Sequence, residues 1–223
     1  MDYTTVFDGH ISITPPLNAQ ERAYLEKFNQ TRRMWRSNGP YFVGGSGFMG
    51  QGHDPDVLDF SRPAGGQPGL WCQWVPNATG DGLIWDQGEK FYYAAEWMQY
   101  LIDHFLGSTP IVAILYPELK AIFTGHTLSG CIFAQGEDQD DQWSLTVRDD
   151  QVFVHDESGS RAVKRSAMPT AAPQELPPAR VDCPLSPAAR APKQQQRGFR
   201  CNACCWGRWP CSRRPLTLTI RWR

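Results

Sequence analysis

The stretch of residues 89–107, EKFYYAAEWMQYLIDHFLG, carries the strongest helix signal in the chain. Its apolar residues recur at steps of three and four, the spacing of one face of an α-helix. The pattern therefore predicts an amphipathic helix that begins near Glu89. The helix should end at Gly107, because glycine readily takes the left-handed conformation of a helix C-cap. The residues of the predicted buried face are Phe91, Ala94, Ala95, Met98, Leu101, Ile102 and Phe105.

A second helix is predicted upstream, over residues 19–33. Asn18 lies three residues before Glu21, and this spacing suits a capping box, in which the two residues cap the first turn reciprocally. Arg32 and Arg33 would fall in the last turn, where positive charge complements the helix dipole. The predicted core stripe of this helix is Tyr24, Leu25 and Phe28.

Short alternating stretches predict the strands of a sheet. Residues 10–14 form one strand, which Pro15 should stop because proline cannot donate to a ladder. A glycine-rich stretch over residues 38–52 predicts a loop with a short strand at residues 41–43. The order of elements predicts an α+β fold, with two main helices on one face of an antiparallel or mixed sheet. The remaining predicted strands are a hairpin at 71–75 and 83–85, and a meander at 128–134, 143–147 and 152–154.

Charge divides the chain into two unlike parts. The formal net charge of −1 combines −11 over residues 1–156 with +10 over residues 157–223. The first part is predicted to be an acidic folded domain, which makes nucleic acid a poor partner for it. The second part is a basic tail rich in Pro, Arg and Cys that cannot bury enough apolar surface to fold. It is expected to be disordered, or to be an out-of-frame read of a GC-rich gene.

The chain shows no sign of a membrane segment or an export signal. No stretch reaches the ~18 consecutive apolar residues of a membrane span. The N-terminus lacks the basic start and the apolar region of a secretory signal. We therefore expect a cytoplasmic protein whose cysteine thiols are reduced.

Three sequence blocks carry a resemblance to a known family. They are residues 66–76 (GQPGLWCQWVP), residues 84–93 (IWDQGEKFYY) and residues 135–141 (QGEDQDD). Over about residues 3–155 the chain resembles a family of small, uncharacterised bacterial and phage proteins. That family has no known activity, so the resemblance implies no catalytic residue.

Tryptophan is concentrated around the predicted hairpin. Side chains alternate along a strand, so Trp71 and Trp74 should lie on opposite faces of the sheet. A tryptophan on an open sheet face can stack on a ligand or anchor a protein contact. The alternative for these residues is core packing and ordinary helix-start electrostatics. The candidate binding group is Trp71, Trp74, Trp85, Glu89, Lys90 and Tyr92.

Two clusters have the residue types of metal ligands. The acidic run Glu137, Asp138, Asp140 and Asp141 could hold Mg²⁺ or Ca²⁺ through carboxylate oxygens, or could be an exposed turn. The tail carries Cys201, Cys204, Cys205 and Cys211. They include one Cys-x-x-Cys pair, which is half of a typical zinc-binding motif. Zinc is not expected, because a second well-spaced pair of ligands is missing.

The sequence supports two functional hypotheses from different classes. The favoured one is an interaction module that binds a protein or peptide through its Trp-bearing sheet and its glycine-rich loop. The resemblance further implies that this module is associated with phage or mobile elements. No cofactor is expected for it. The alternative is a metal-assisted hydrolase or nuclease that uses the Asp/Glu clusters. The sequence leaves open whether the protein is an enzyme.

Overall fold

The computed structural model describes residues 3–44 and 54–166. The chain divides into two units, residues 1–180 and 181–223, and every described residue belongs to the first unit. The predicted tail beyond residue 166, including its cysteine cluster, lies outside the described residues. The same holds for residues 45–53 of the predicted glycine-rich loop.

A seven-stranded sheet forms the body of the fold. All of its neighbouring strands are antiparallel, which confirms the predicted α+β class. The strands are β1 (Val6–Thr14), β2 (Met34–Arg36), β3 (Val57–Pro63), β4 (Trp74–Pro76), β5 (Gly82–Trp85), β6 (Thr127–Gln135), β7 (Gln142–Arg148), β8 (Gln151–Asp156) and β9 (Gly159–Ala162). The order in the main sheet is β4-β5-β1-β6-β7-β8-β9, while β2 and β3 form a separate two-stranded sheet.

Among the described residues the helices are fewer than the strands. A π-helix continues α2 without a break, and two one-turn helices occupy the segment before β6. Among the described residues, no helix combines the length and the apolar character that crossing a membrane requires. The helices are α1 (Ala19–Gln30), α2 (Ala94–Leu101), the π-helix (Ile102–Leu106), α3 (Ile111–Leu115) and α4 (Pro117–Lys120).

Helix α1 begins as predicted and ends early. The Asn18 side chain accepts a hydrogen bond from the Glu21 backbone N–H, and the Glu21 carboxylate accepts one from the Asn18 N–H. This confirms the capping box. The helix stops at Gln30 because Thr31 adopts an extended backbone. Arg33, predicted in the last turn, is instead buried beyond the helix, where its guanidinium donates to the Thr31 carbonyl.

Helix α2 begins at Ala94, five residues later than the pattern predicts. The preceding link holds Gln87, Lys90 and Tyr93 at positive φ, a conformation that interrupts a right-handed helix. Gly107 ends the π-helix as predicted, with an extended backbone rather than a left-handed one. All seven residues of the predicted buried face are buried.

In the part of the chain that the structure describes, the core lies on one face of the sheet. Ile11 of β1, Ile132 of β6 and Leu145 of β7 are fully buried beneath residues of α1 and α2. Both main helices therefore lie on the same face, as predicted. On the opposite face, within residues 3–44 and 54–166, Phe133 keeps 64% of its surface exposed.

The closing meander has four strands rather than the predicted three. Strand β9 pairs with β8, and the following residue, Val163, packs into the core. The sheet therefore continues past residue 156, the predicted end of the domain. The turn between β7 and β8 lies at Asp149 and Asp150, both at positive φ, as a two-residue hairpin turn requires.

The two-stranded sheet of β2 and β3 was not predicted. It is held by Arg36, whose guanidinium contacts the carboxylates of Asp54 and Asp56 at 3.2 and 2.9 Å. The strand predicted at residues 41–43 is wrong, because these residues form a turn and irregular backbone. Tyr41 is nevertheless buried in the main core.

Candidate functional site

A cavity of about 540 Å³ lies at one end of the main sheet. It is bounded by the turn between β6 and β7, the turn between β8 and β9, the start of α2 and the start of β1. This volume falls within the range of about 300–1,000 Å³ that is typical of ligand pockets. We therefore take this cavity as the candidate binding site.

The meander explains why two acidic turns meet at this cavity. In an up-and-down antiparallel sheet, alternate turns return to the same end. The first such turn supplies Asp140 and Asp141, and the second supplies Asp156 and Glu157. Glu96, in the first turn of α2, adds a fifth carboxylate from the helix side.

Aromatic side chains form the apolar wall of the cavity. Phe7 meets both Phe91 and Trp143 edge to face, with ring centroids 5.7 Å apart in each pair. Tyr93, the N-cap residue of α2, also lines the cavity and keeps 60% of its surface exposed. The aromatic rings of the wall therefore pack on one another, and the ring of Tyr93 remains accessible.

The electrostatic character of the cavity is strongly negative. Five carboxylates line it, and Arg161 of β9 is the one basic residue among the described lining residues. Hydrogen bonds from the side chain and the backbone N–H of Ser158 hold the pKa of Asp156 below its usual value, and Arg161 adds to this effect. The cavity therefore favours a cation over an anion.

The predicted acidic run is split by the structure. Asp140 and Asp141 line the cavity, whereas Glu137 accepts a hydrogen bond from the Thr4 backbone N–H at 2.8 Å. Asp141 also accepts a hydrogen bond from the Tyr3 hydroxyl, which raises the pKa of that hydroxyl. These contacts tie the N-terminal segment to the turn.

The geometry does not assemble the predicted Mg²⁺ or Ca²⁺ site. Within residues 3–44 and 54–166, no three His, Cys, Asp or Glu side chains are grouped so that they could hold a metal ion. Part of the run is engaged in hydrogen bonds to the N-terminal segment instead. The four residues of that prediction are Glu137, Asp138, Asp140 and Asp141.

Trp74, one of the tryptophans of the predicted platform, does not lie on an open face of the sheet. Trp74 is 1% exposed on the helix side, and its indole N–H donates to the Ala94 carbonyl at 2.8 Å. Trp85 is half-buried, donates to the Gln73 side chain and packs edge to face against Phe7. Strand β4 begins only at Trp74, so the alternation of side chains does not extend to the half-buried Trp71.

The other predicted binding residues lie in the link before α2. Glu89, Lys90 and Tyr92 are exposed, yet none of them lines the cavity. The residues that do are their neighbours Phe91 and Tyr93. The predicted residues therefore flank the ones that line the cavity, and their role in binding stays a prediction.

No family model matches this chain. No match was found among the curated proteins or the solved structures either. The resemblance to small bacterial and phage proteins stays a prediction.

Several cavity residues carry a signal that the sequence patterns did not capture. Asp156 and Glu157 form an acidic pair at the end of a predicted strand. If β9 had been recognised, this pair would have been a turn at the same end of the meander as Asp140 and Asp141. Glu96 shows no comparable signal, because a carboxylate in the first turn of a helix is common.

A second group of polar residues lies inside the core. The Tyr41 hydroxyl is 2.6 Å from Nδ1 of His104, and the Tyr100 ring stacks on the imidazole with centroids 3.9 Å apart. Burial lowers the pKa of His104 to about 3, so the ring is neutral at neutral pH. Its Nε2 atom is buried without a hydrogen-bond partner in the described structure.

Proposed function

We propose that this chain is a cytoplasmic binding module that takes a cationic group of a protein or peptide partner into the cavity at the start of α2. The observation that carries the proposal is the excess of carboxylates over the single arginine in an aromatic-walled cavity. The binding class is the one that the sequence favours. The surface differs, because the cavity replaces the tryptophan platform.

A positively charged side chain suits this cavity for two reasons. Several carboxylates at short range attract a cation more strongly than isolated surface charges do, because the walls exclude part of the solvent. The exposed ring of Tyr93 offers a face over which an ammonium or guanidinium group can lie. The dipole of α2 alone would favour an anion at the start of the helix. The carboxylate of Glu96, in the first turn, offsets this effect.

The alternative of a metal-assisted hydrolase or nuclease has less support. Such chemistry needs carboxylates that converge on a metal ion or on a reacting atom. In the described residues, the acidic groups are spread around the rim of an open cavity and part of them is engaged with the N-terminal segment. We therefore base the test on binding rather than on catalysis.

The test is a titration of the full chain with fluorescently labelled hexalysine and hexaglutamate peptides, followed by fluorescence anisotropy. The double variant Asp140→Asn/Glu157→Gln removes two negative charges from the cavity without deleting a side chain. The matched control is Glu26→Gln/Glu118→Gln, which removes the same charge from exposed positions on α1 and α4.

We expect hexalysine binding to depend on the cavity carboxylates, whereas binding of hexaglutamate to the basic residues 157–223 should be unchanged in the cavity variant. The cavity variant should weaken hexalysine binding about tenfold, corresponding to roughly 1.4 kcal/mol, while the control changes it little. Equal weakening by both variants would mean that the peptide responds only to net charge, and the proposal would then be wrong.

A further inference from the structure

One of the two edges that the main sheet has among the described strands lies beside the cavity. Strand β9 is the last strand of the sheet, and all four of its residues are exposed. Among the described elements it pairs with β8 alone. Its residue Arg161 lines the cavity, together with Asp156, Glu157 and Ser158 of the adjoining turn.

The register shows which backbone groups of β9 point away from the sheet. The Val163 N–H donates to the Val152 carbonyl, so position 163 is directed toward β8. Hydrogen bonding alternates along an antiparallel strand, and Gly159 and Arg161 therefore also face β8. The N–H and C=O groups of Ser160 and Ala162 are left to face outward.

The register also shows which side chains share the cavity face. Arg161 is paired with Val154, which is buried on the helix side, so Arg161 lies on that side as well. A further strand would run about 4.8 Å from β9 and would project alternate side chains toward the same face. One of these side chains would lie beside Arg161, at the rim of the acidic cavity.

We propose that the partner is an extended polypeptide segment that pairs with the outer edge of β9 and places a lysine or arginine side chain in the cavity. This inference rests on the proposed function and adds the nature of the partner. Main-chain hydrogen bonds to Ser160 and Ala162 would supply affinity. The basic side chain would supply specificity, as in other cases of strand addition to a sheet edge.

Charge complementarity selects this occupant. The turn beside the edge carries Asp156 and Glu157, and the neighbouring turn carries Asp140 and Asp141. These carboxylates would repel the side chains of an acidic strand, because both are negatively charged. A free polyamine could satisfy the carboxylates, but it has no alternating donors and acceptors with which to pair with β9.

The experiment compares three probes on the full chain. The first is an acetylated and amidated seven-residue peptide of alternating threonine and valine with a central lysine. The second is the same peptide N-methylated at every backbone nitrogen, so that no N–H remains along either edge. The third is spermidine. Binding is measured by isothermal titration calorimetry.

Two variants separate the edge from the cavity. Ala162→Pro removes an outward N–H, keeps the bonds to β8 and acts at a position where an edge strand tolerates proline. Its control is Ala162→Ser, and thermal unfolding checks that both remain folded. The cavity variant is Asp140→Asn/Glu157→Gln.

We expect Ala162→Pro to weaken binding of the lysine peptide about tenfold and to leave binding of spermidine unchanged. The cavity variant should weaken binding of both ligands. N-methylation should weaken binding of the peptide to the unaltered chain by a similar factor. If Ala162→Pro and N-methylation both leave peptide affinity unchanged while the cavity variant lowers it, strand pairing is refuted and cation binding stands. If the cavity variant changes the affinity for neither the peptide nor spermidine, the proposed function itself is wrong.

Discussion

The Glu21 carboxylate and the His126 imidazole lie 3.0 Å apart, and each side chain is only 1% exposed. Nδ1 of the same ring is 2.7 Å from the Pro15 carbonyl, which can only accept a hydrogen bond. The Glu21 carboxylate is an acceptor as well, so the ring lies between two acceptors. The pair thus joins the segment after β1, the start of α1 and the segment before β6.

Removing the Glu21 carboxylate should destabilise the fold strongly. The Glu21→Ala variant leaves His126 buried without its acceptor and also removes the acceptor of the Asn18 N–H. Breaking a buried pair of this kind costs about 3–5 kcal/mol. Urea unfolding should show this loss, and the exposed Glu26→Ala on the same helix should lose far less. Similar losses for the two variants would contradict the role given to the pair.

The same residue shows how far sequence reasoning reaches. The capping box of Asn18 and Glu21 was predictable because its two partners are three positions apart. The contact with His126 joins residues 105 positions apart, and no local pattern records it. The apolar stripes of α1 and α2 were predictable for the same local reason.

The start of α2 and the cavity were harder to predict. The link before α2 places Gln87, Lys90 and Tyr93 at positive φ, although none is glycine or asparagine, the residues that signal this conformation. Strand β9 reads GSRA and lacks the apolar alternation of a strand. Without it, the second acidic turn cannot be placed beside the first, and the sequence leaves Asp140 and Asp141 as either candidate metal ligands or part of an exposed turn.

The stability of the protein should depend on pH through His104. Burial lowers the pKa of His104 to about 3 from an ordinary value near 6.5. Between these two values the unfolded chain binds a proton that the folded chain does not, so stability falls as the pH falls. The loss is about 1.4 kcal/mol per pH unit for one such group.

The variant His104→Gln should lack this pH-dependent contribution to stability. Free energies of unfolding in urea at pH 7 and pH 5 should fall by about 2 kcal/mol more in the unaltered chain than in the variant. Comparing the two differences removes the contribution of the groups that titrate in both proteins. Equal differences would show that His104 does not resist protonation in the folded state.

Trp74 and Tyr92, both predicted binding residues, should respond to truncation in opposite ways. Trp74 is buried against Phe7 and Phe91 and donates to the Ala94 carbonyl, so Trp74→Ala should cost about 3–5 kcal/mol. Tyr92 is 61% exposed, so Tyr92→Ala should change stability by less than about 0.5 kcal/mol. Urea unfolding of the two variants measures the contrast. A Trp74→Ala protein as stable as the unaltered chain would contradict the core position of this residue.

Arg161 should weaken the binding of cations, because it places a positive charge on the wall of an otherwise acidic cavity. The variant Arg161→Gln should therefore bind hexalysine about threefold more tightly, the scale of a partly exposed charge interaction. Arg148→Gln is the matched control, since Arg148 is exposed at the far end of β7, beside the turn at Asp149 and Asp150. The gain should shrink as salt is added, because ions screen exposed charges beyond about 10 Å at 0.1 M. A gain of equal size in both variants would assign the effect to net charge, and weaker binding in Arg161→Gln would mean that this arginine helps to form the site.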